Sequence, residues 1–137
     1  MSNEAIIVAR DALIEGRGTE AEQIAADERE RLLARIYQLC DNLGFAHARK
    51  WPTNPRQSYL VESIGKRFAK VIMSDGTQRS VWGFVEMSNG LVWKAASWKA
   101  PTLNYPRGCM HDDASVAVLA TRIHGVHGLP AYHKELA

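Results

Sequence analysis

Apolar positions recur every three or four residues along the first third of the chain and alternate along its middle, so the period changes from helix to strand. Ile6, Ala9 and Leu13 predict a first helix, capped at Ser2 or Asn3 with Glu4 against its positive end and stopped before Gly16 and Gly18. Thr19 and Glu22 form a capping box, in which hydroxyl and carboxylate each satisfy an amide of a second helix. Ile24, Ala25, Leu32, Ile36, Leu39, Cys40 and Leu43 then share one face, predicting a long helix to about Asn42 with Gly44 as its stop. Asp27 to Arg31 is almost wholly charged, which predicts exposure or a partner interface.

Pro52 and Pro55 prevent further helix and mark a connection in which Tyr59 to Ile64 is expected as a short helix before Gly65. Arg67 to Ser74 and Gln78 to Met87 are rich in β-branched and aromatic residues and flank Asp75-Gly76, a hairpin signal because both residues tolerate positive φ. Ser88-Asn89-Gly90 is a second tight turn, leading into Leu91 to Lys99. Pro101, Pro106 and Gly108 predict a loop. Asp112 or Asp113 then caps a short helix through Val116, Leu119 and Ile123 that Gly125 ends. The expected fold is α+β: N-terminal helices packed on a three-stranded antiparallel β-meander, with a short C-terminal helix. Its parts are a helical region 1–50, a connection 51–66, the meander 67–99, and a loop, helix and tail at 100–137, all in one domain.

A length of 137 residues with 46% hydrophobic side chains suffices for one modest core. No apolar run approaches the roughly 18 residues of a membrane span, and the first residues carry no basic region, so the expected compartment is the cytosol. Cys40 and Cys109 have no paired-ligand spacing and are expected as reduced thiols. An apolar sheet and a long helix in so small a chain also suggest a homo-oligomer.

Charge changes the picture more. Residues 51–110 hold eight Lys/Arg against three Asp/Glu and carry all four tryptophans, whereas the segments on either side are net acidic. Aromatic rings among cations suit nucleic acid or nucleotides, the rings stacking on bases and the cations meeting phosphates. The same tryptophans also suit a core, with the lysines merely solvated. Alternation places Trp82, Phe84 and Glu86 on one face of the second strand and Val81, Gly83, Val85 and Met87 on the other, and neither face is cleanly polar. The candidate ligand contacts are Lys94, Trp98, Lys99 and Arg107, with Trp82 and Arg79.

Phe68-Ala-Lys-Val-Ile72, Ser80-Val-Trp-Gly-Phe-Val85, Asn89-Gly90 and Lys94-Ala-Ala-Ser-Trp-Lys-Ala-Pro101, followed by Arg107-Gly108 and Asp112, resemble small bacteriophage- and prophage-encoded proteins of unassigned function. The resemblance covers about residues 65–113. It implies a viral or mobile-element origin and names no reaction. Thr102-Leu103 and Cys109-Met110 depart from that family's pattern.

Three function classes follow. The first is a phage-type accessory protein that binds an anionic ligand, nucleic acid or nucleotide, without catalysis and without a cofactor. The second is a protein-binding inhibitor of a host defence complex, suggested by the charged helix and the aromatics. The third is a small metal-dependent hydrolase on His111, His124 and His127, near Asp112, Asp113 and His133, although Gly125 and Gly128 make that stretch resemble a helix end. Cys109, between Arg107-Gly108 and His111, reads as a loop cysteine, and Gly16-Arg17-Gly18 as a weak phosphate signal opposed by Glu20 and Glu22.

Overall fold

The structure, a computed structural model, describes residues 19–132. The expected first helix, the Gly16–Gly18 stretch and His133 lie outside the described residues. The chain divides into two units, Met1–Arg31 and Leu32–Ala137. The described part of the first is helical and largely exposed, with Gln23 Nε2 donating to Asp27 Oδ1 at 3.0 Å. No helix among the described residues is long and apolar enough to cross a membrane.

Helix α1 (Thr19–Lys50) opens with Glu20 and Glu22 in its first turn and runs through Gly44, past the stop expected there. A mid-helix glycine costs about 1 kcal/mol. Full burial of Leu43 on one side and packing of Ala46 on the other outweigh that cost. The helix stops only where Pro52 restricts Trp51. His47, Arg49 and Lys50 occupy its last turn, where positive charge offsets the exposed carbonyls.

The sheet has five strands rather than three, in the order β1 (Ser58–Ile64), β2 (Phe68–Ser74), β3 (Arg79–Glu86), β4 (Leu91–Trp93) and β5 (Gly108–Cys109), each antiparallel to the next. The segment expected as a short helix is β1. Tyr59 is buried, Leu60 is exposed and Val61 is half-buried, and the free edge of β2 supplies backbone partners that a local reading cannot see. The third strand stops at Trp93 instead of Lys99 because the chain folds back on itself. Thr102 N donates to Lys94 O at 2.7 Å and Ala96 N to Ala100 O at 2.8 Å, while Ala95 bridges Pro101, which has no N–H to extend a ladder. Trp98 therefore stands at the tip of a small hairpin. Gly108, expected in a loop, pairs with Val92. A Cβ there would lie 2.9 Å from Ser115 Oγ and 3.0 Å from Leu119 Cδ2.

A bulge in β3 overturns the expected faces. Val71 pairs with Gly83 and Ile72 with Val81, so Trp82 is the extra residue. One inserted residue reverses the alternation. Trp82 joins Val85, Val71 and Ala69 in the core with Leu32, Ile36, Leu39 and Leu43 of α1, whereas Phe84 lies opposite Lys70 and Trp93 on the other face. Helix α2 (Asp113–Leu119) starts as expected, with Asp112 Oδ1 accepting from Ala114 N. It ends four residues before Ile123, where the chain tightens into i→i+3 bonds, Thr121 N donating to Val118 O and Arg122 N to Leu119 O, both at 3.0 Å, and sheet side chains then pin the following carbonyls. Trp82 Nε1 donates to Arg122 O and Tyr59 Oη to Ile123 O, both at 2.7 Å.

Candidate anion-binding site

Asn42, Phe45, Ala46, Arg49 and Lys50 recur at helical spacing and form one face of the end of α1. Opposite them, the turns at residues 120–128 are held by the Trp82 and Tyr59 bonds and by Val126 N donating to Trp82 O at 3.2 Å. Gly125 takes a φ of 111° at the bend. Between these two walls lies a pocket of about 550 Å³.

Its cations are Arg49, Lys50 and Arg122, joined by the imidazoles of His124 and His127, and no carboxylate of the described residues lines it. The negative end of α1 lies nearby, but a helix end amounts to roughly half a charge. Two full cations on that last turn exceed it. The Arg122 Nε is buried without a hydrogen-bond partner among the described residues. At the rim, the Trp51 ring stands 5.4 Å from His124 and 5.1 Å from His47, with Lys50 Nζ 5.1 Å from its centroid. Arginine, lysine and imidazole donors around a cavity of this size can hold a phosphate or a comparable anion by charge-assisted hydrogen bonds.

Residues 19–132 match a family of unknown function, DUF7717. The chain belongs to this family. No curated protein and no solved structure matches it. The family span reaches beyond residues 65–113 and takes in both walls of the pocket.

A second cavity in this DUF7717 chain, of about 430 Å³, is mixed in character. It is lined by Arg107, Arg122 and Ser115, but also by Asp112, which accepts from Tyr132 Oη at 2.6 Å. That bond holds the Tyr132 proton and pushes the phenol up to about 12.

The residues expected to bind ligand fall in three places. Trp98, 38% exposed, lies against Lys70 Nζ at 4.2 Å and the Arg79 guanidinium at 5.4 Å, and both cations pair with Glu62, at 3.4 and 2.9 Å. Lys94 and Lys99 flank Trp98 in the tip hairpin, half-buried and exposed respectively. Trp82, 1% exposed, is core, and its polar edge serves the pocket wall. Arg107 is 7% exposed and donates to the carbonyls of His127 and Leu129 and to Tyr105 Oη, so it fastens the C-terminal segment. Arg67 likewise pairs with Glu86 at 3.2 Å, which also accepts from Trp93 Nε1.

Among the described residues no three His, Cys, Asp or Glu side chains gather as a metal-holding group. His111 packs on Gly90, where a Cβ would lie 2.7 Å from its ring, while His124 and His127 line the pocket. Cys109 Sγ lies 3.8 Å from Asn89 O. Phe45, Arg49, Lys50 and Arg122 escaped the sequence reading. Arg49 and Lys50 stand in a net-acidic segment, so counting charge along the chain hid them; the adjacent basic pair at a helix end, next to Trp51, was the available signal.

Proposed function

We propose that this protein acts by non-catalytic binding of an anionic, phosphate-bearing ligand, a nucleotide or a nucleic acid. One observation carries the reading: no carboxylate of the described residues lines the basic pocket, whereas Lys70, Arg79 and Arg67 already have carboxylate partners. Unneutralised cations around a concave site favour an anion, and paired ones offer it less. The Trp98 tip with Lys94 and Lys99 supplies a second patch of the same chemistry on the basic, tryptophan-rich sheet. The resemblance of residues 65–113 to phage proteins supports an accessory role in infection.

Titration with inorganic pyrophosphate and with a short single-stranded oligonucleotide, at several salt concentrations, tests the reading. Binding should weaken as salt rises. The Arg49→Glu/Lys50→Glu variant should bind neither probe, and Trp98→Ala should weaken only the oligonucleotide. Absence of pyrophosphate binding at low salt removes the proposal.

A protein-binding role against a host complex is favoured by β1, an edge strand whose Leu60 and Ile64 are 48% and 41% exposed. Open edges with apolar side chains recruit further strands. A nuclease-resistant stoichiometric partner, lost in a Leu60→Lys variant, would support this reading.

A further inference from the structure

The anion-binding reading leaves one feature of the pocket unused. Phe45 is 59% exposed on its wall, the most exposed large apolar side chain among the described residues. It sits one turn before Arg49 and one turn after Asn42, so an aromatic face, a cation and an amide follow one another along a single helix face. Asn42 Oδ1 already accepts from Gln38 Nε2 at 3.1 Å, which leaves the Asn42 amide nitrogen to donate. Inorganic phosphate would use only the cations. A nucleobase would also cover the Phe45 ring and offer acceptors to Asn42.

We infer that the pocket takes a free mononucleotide, its phosphate among Arg49, Arg122, His124 and His127 and its base on Phe45. The inference rests on the proposed anion binding and adds the class of ligand. Size supports a single nucleotide over a strand: about 550 Å³ lies within the range of small-molecule sites, and Arg49, Lys50 and Arg122 converge on that one cavity. Stacking on Phe45 would withdraw the exposed ring from water, and a base on an aromatic face gains about fivefold to 150-fold in affinity.

Calorimetric titration of the full chain with inorganic phosphate, ribose phosphate, adenosine monophosphate and a single-stranded oligonucleotide tests it. Adenosine monophosphate should bind about tenfold more tightly than ribose phosphate. Phe45→Leu should erase that preference and leave affinity for ribose phosphate within about twofold, Phe45→Tyr should keep the preference, and Arg49→Glu should weaken every phosphate. Equal affinity of the wild-type protein for adenosine monophosphate and ribose phosphate overturns the inference while anion binding stands. Tighter binding of the oligonucleotide than of the mononucleotide overturns it in favour of a polymer. Failure of every probe overturns the underlying reading as well. The wild-type comparison needs no variant, so a misfolded Phe45→Leu protein would still leave the inference decided.

Discussion

The indole Nε1 of Trp82 donates to the main-chain carbonyl of Arg122 at 2.7 Å, so a bulged residue in the centre of the sheet fixes a cation of the pocket. Trp82 does not line the pocket, yet its position decides where Arg122 stands. Removing the bond also leaves a part-buried carbonyl without its donor, which costs about 1–3 kcal/mol, and a smaller ring adds a cavity.

Trp82→Phe is therefore expected to lower stability by about 2–4 kcal/mol in urea denaturation and to weaken pyrophosphate binding in protein that is still folded. Lost stability with unchanged affinity would break the link between this residue and the site.

Gly90 has a φ of 76°, and a Cβ there would stand 2.7 Å from His111 Cδ2. Gly90→Ala should cost about 2–3 kcal/mol, part steric and part conformational. Adding His111→Ala should recover the steric part and leave about 1 kcal/mol of backbone strain. Full recovery, or none, in thermal melts of the double variant would contradict this division.

Glu62 is held below the ordinary glutamate range, chiefly by the hydrogen bond from Arg79; burial opposes this, and the hydrogen bond and charge of Lys70 add to the lowering. A depressed carboxylate stabilises the folded state fully above its unfolded pKa and loses that contribution as pH falls through the folded value. Acid below the usual glutamate range, about pH 4, should thus release Lys70 and Arg79 from Glu62 and change the fluorescence of Trp98, which both cations contact. In Glu62→Gln the acid-dependent part of that signal should disappear. Asp75, lowered by the amides of Gln78 and Thr77, is a separate acid-sensitive group, and its effect should persist in that variant as a change in hairpin stability.

Burial, reinforced by the charge of Asp41, pushes the Cys40 thiol up to about 12, whereas Cys109 is partly exposed. Only thiolates alkylate at useful rates. Iodoacetamide should label Cys109 in the native protein and reach Cys40 only after denaturation, as peptide mass mapping will show. Equal labelling of both in native buffer would contradict the packing of α1 against the sheet.

Local patterns in the sequence determined much of the scaffold. The three- and four-residue spacing of Leu32, Ile36, Leu39 and Leu43, the Asp75-Gly76 turn and the Asp112 cap each act within a few residues, and each has its expected place in the structure. Tertiary contacts decided the rest. Ser58–Ile64 became a strand because β2 offered an edge, Gly44 was carried through by the burial on either side, and the bulge at Trp82 reversed a face that alternation had assigned. The basic pocket is the extreme case, since Arg49 and Arg122 stand 73 positions apart in the chain and share a wall only when Trp82 and Tyr59 pin the turns beside α1. Charge summed along the sequence pointed to the tryptophan-rich strands. Charge summed in space points to the pocket, because folding pairs Lys70, Arg79 and Arg67 with Glu62 and Glu86 and gathers Arg49, Lys50 and Arg122 around a cavity that no carboxylate of the described residues lines.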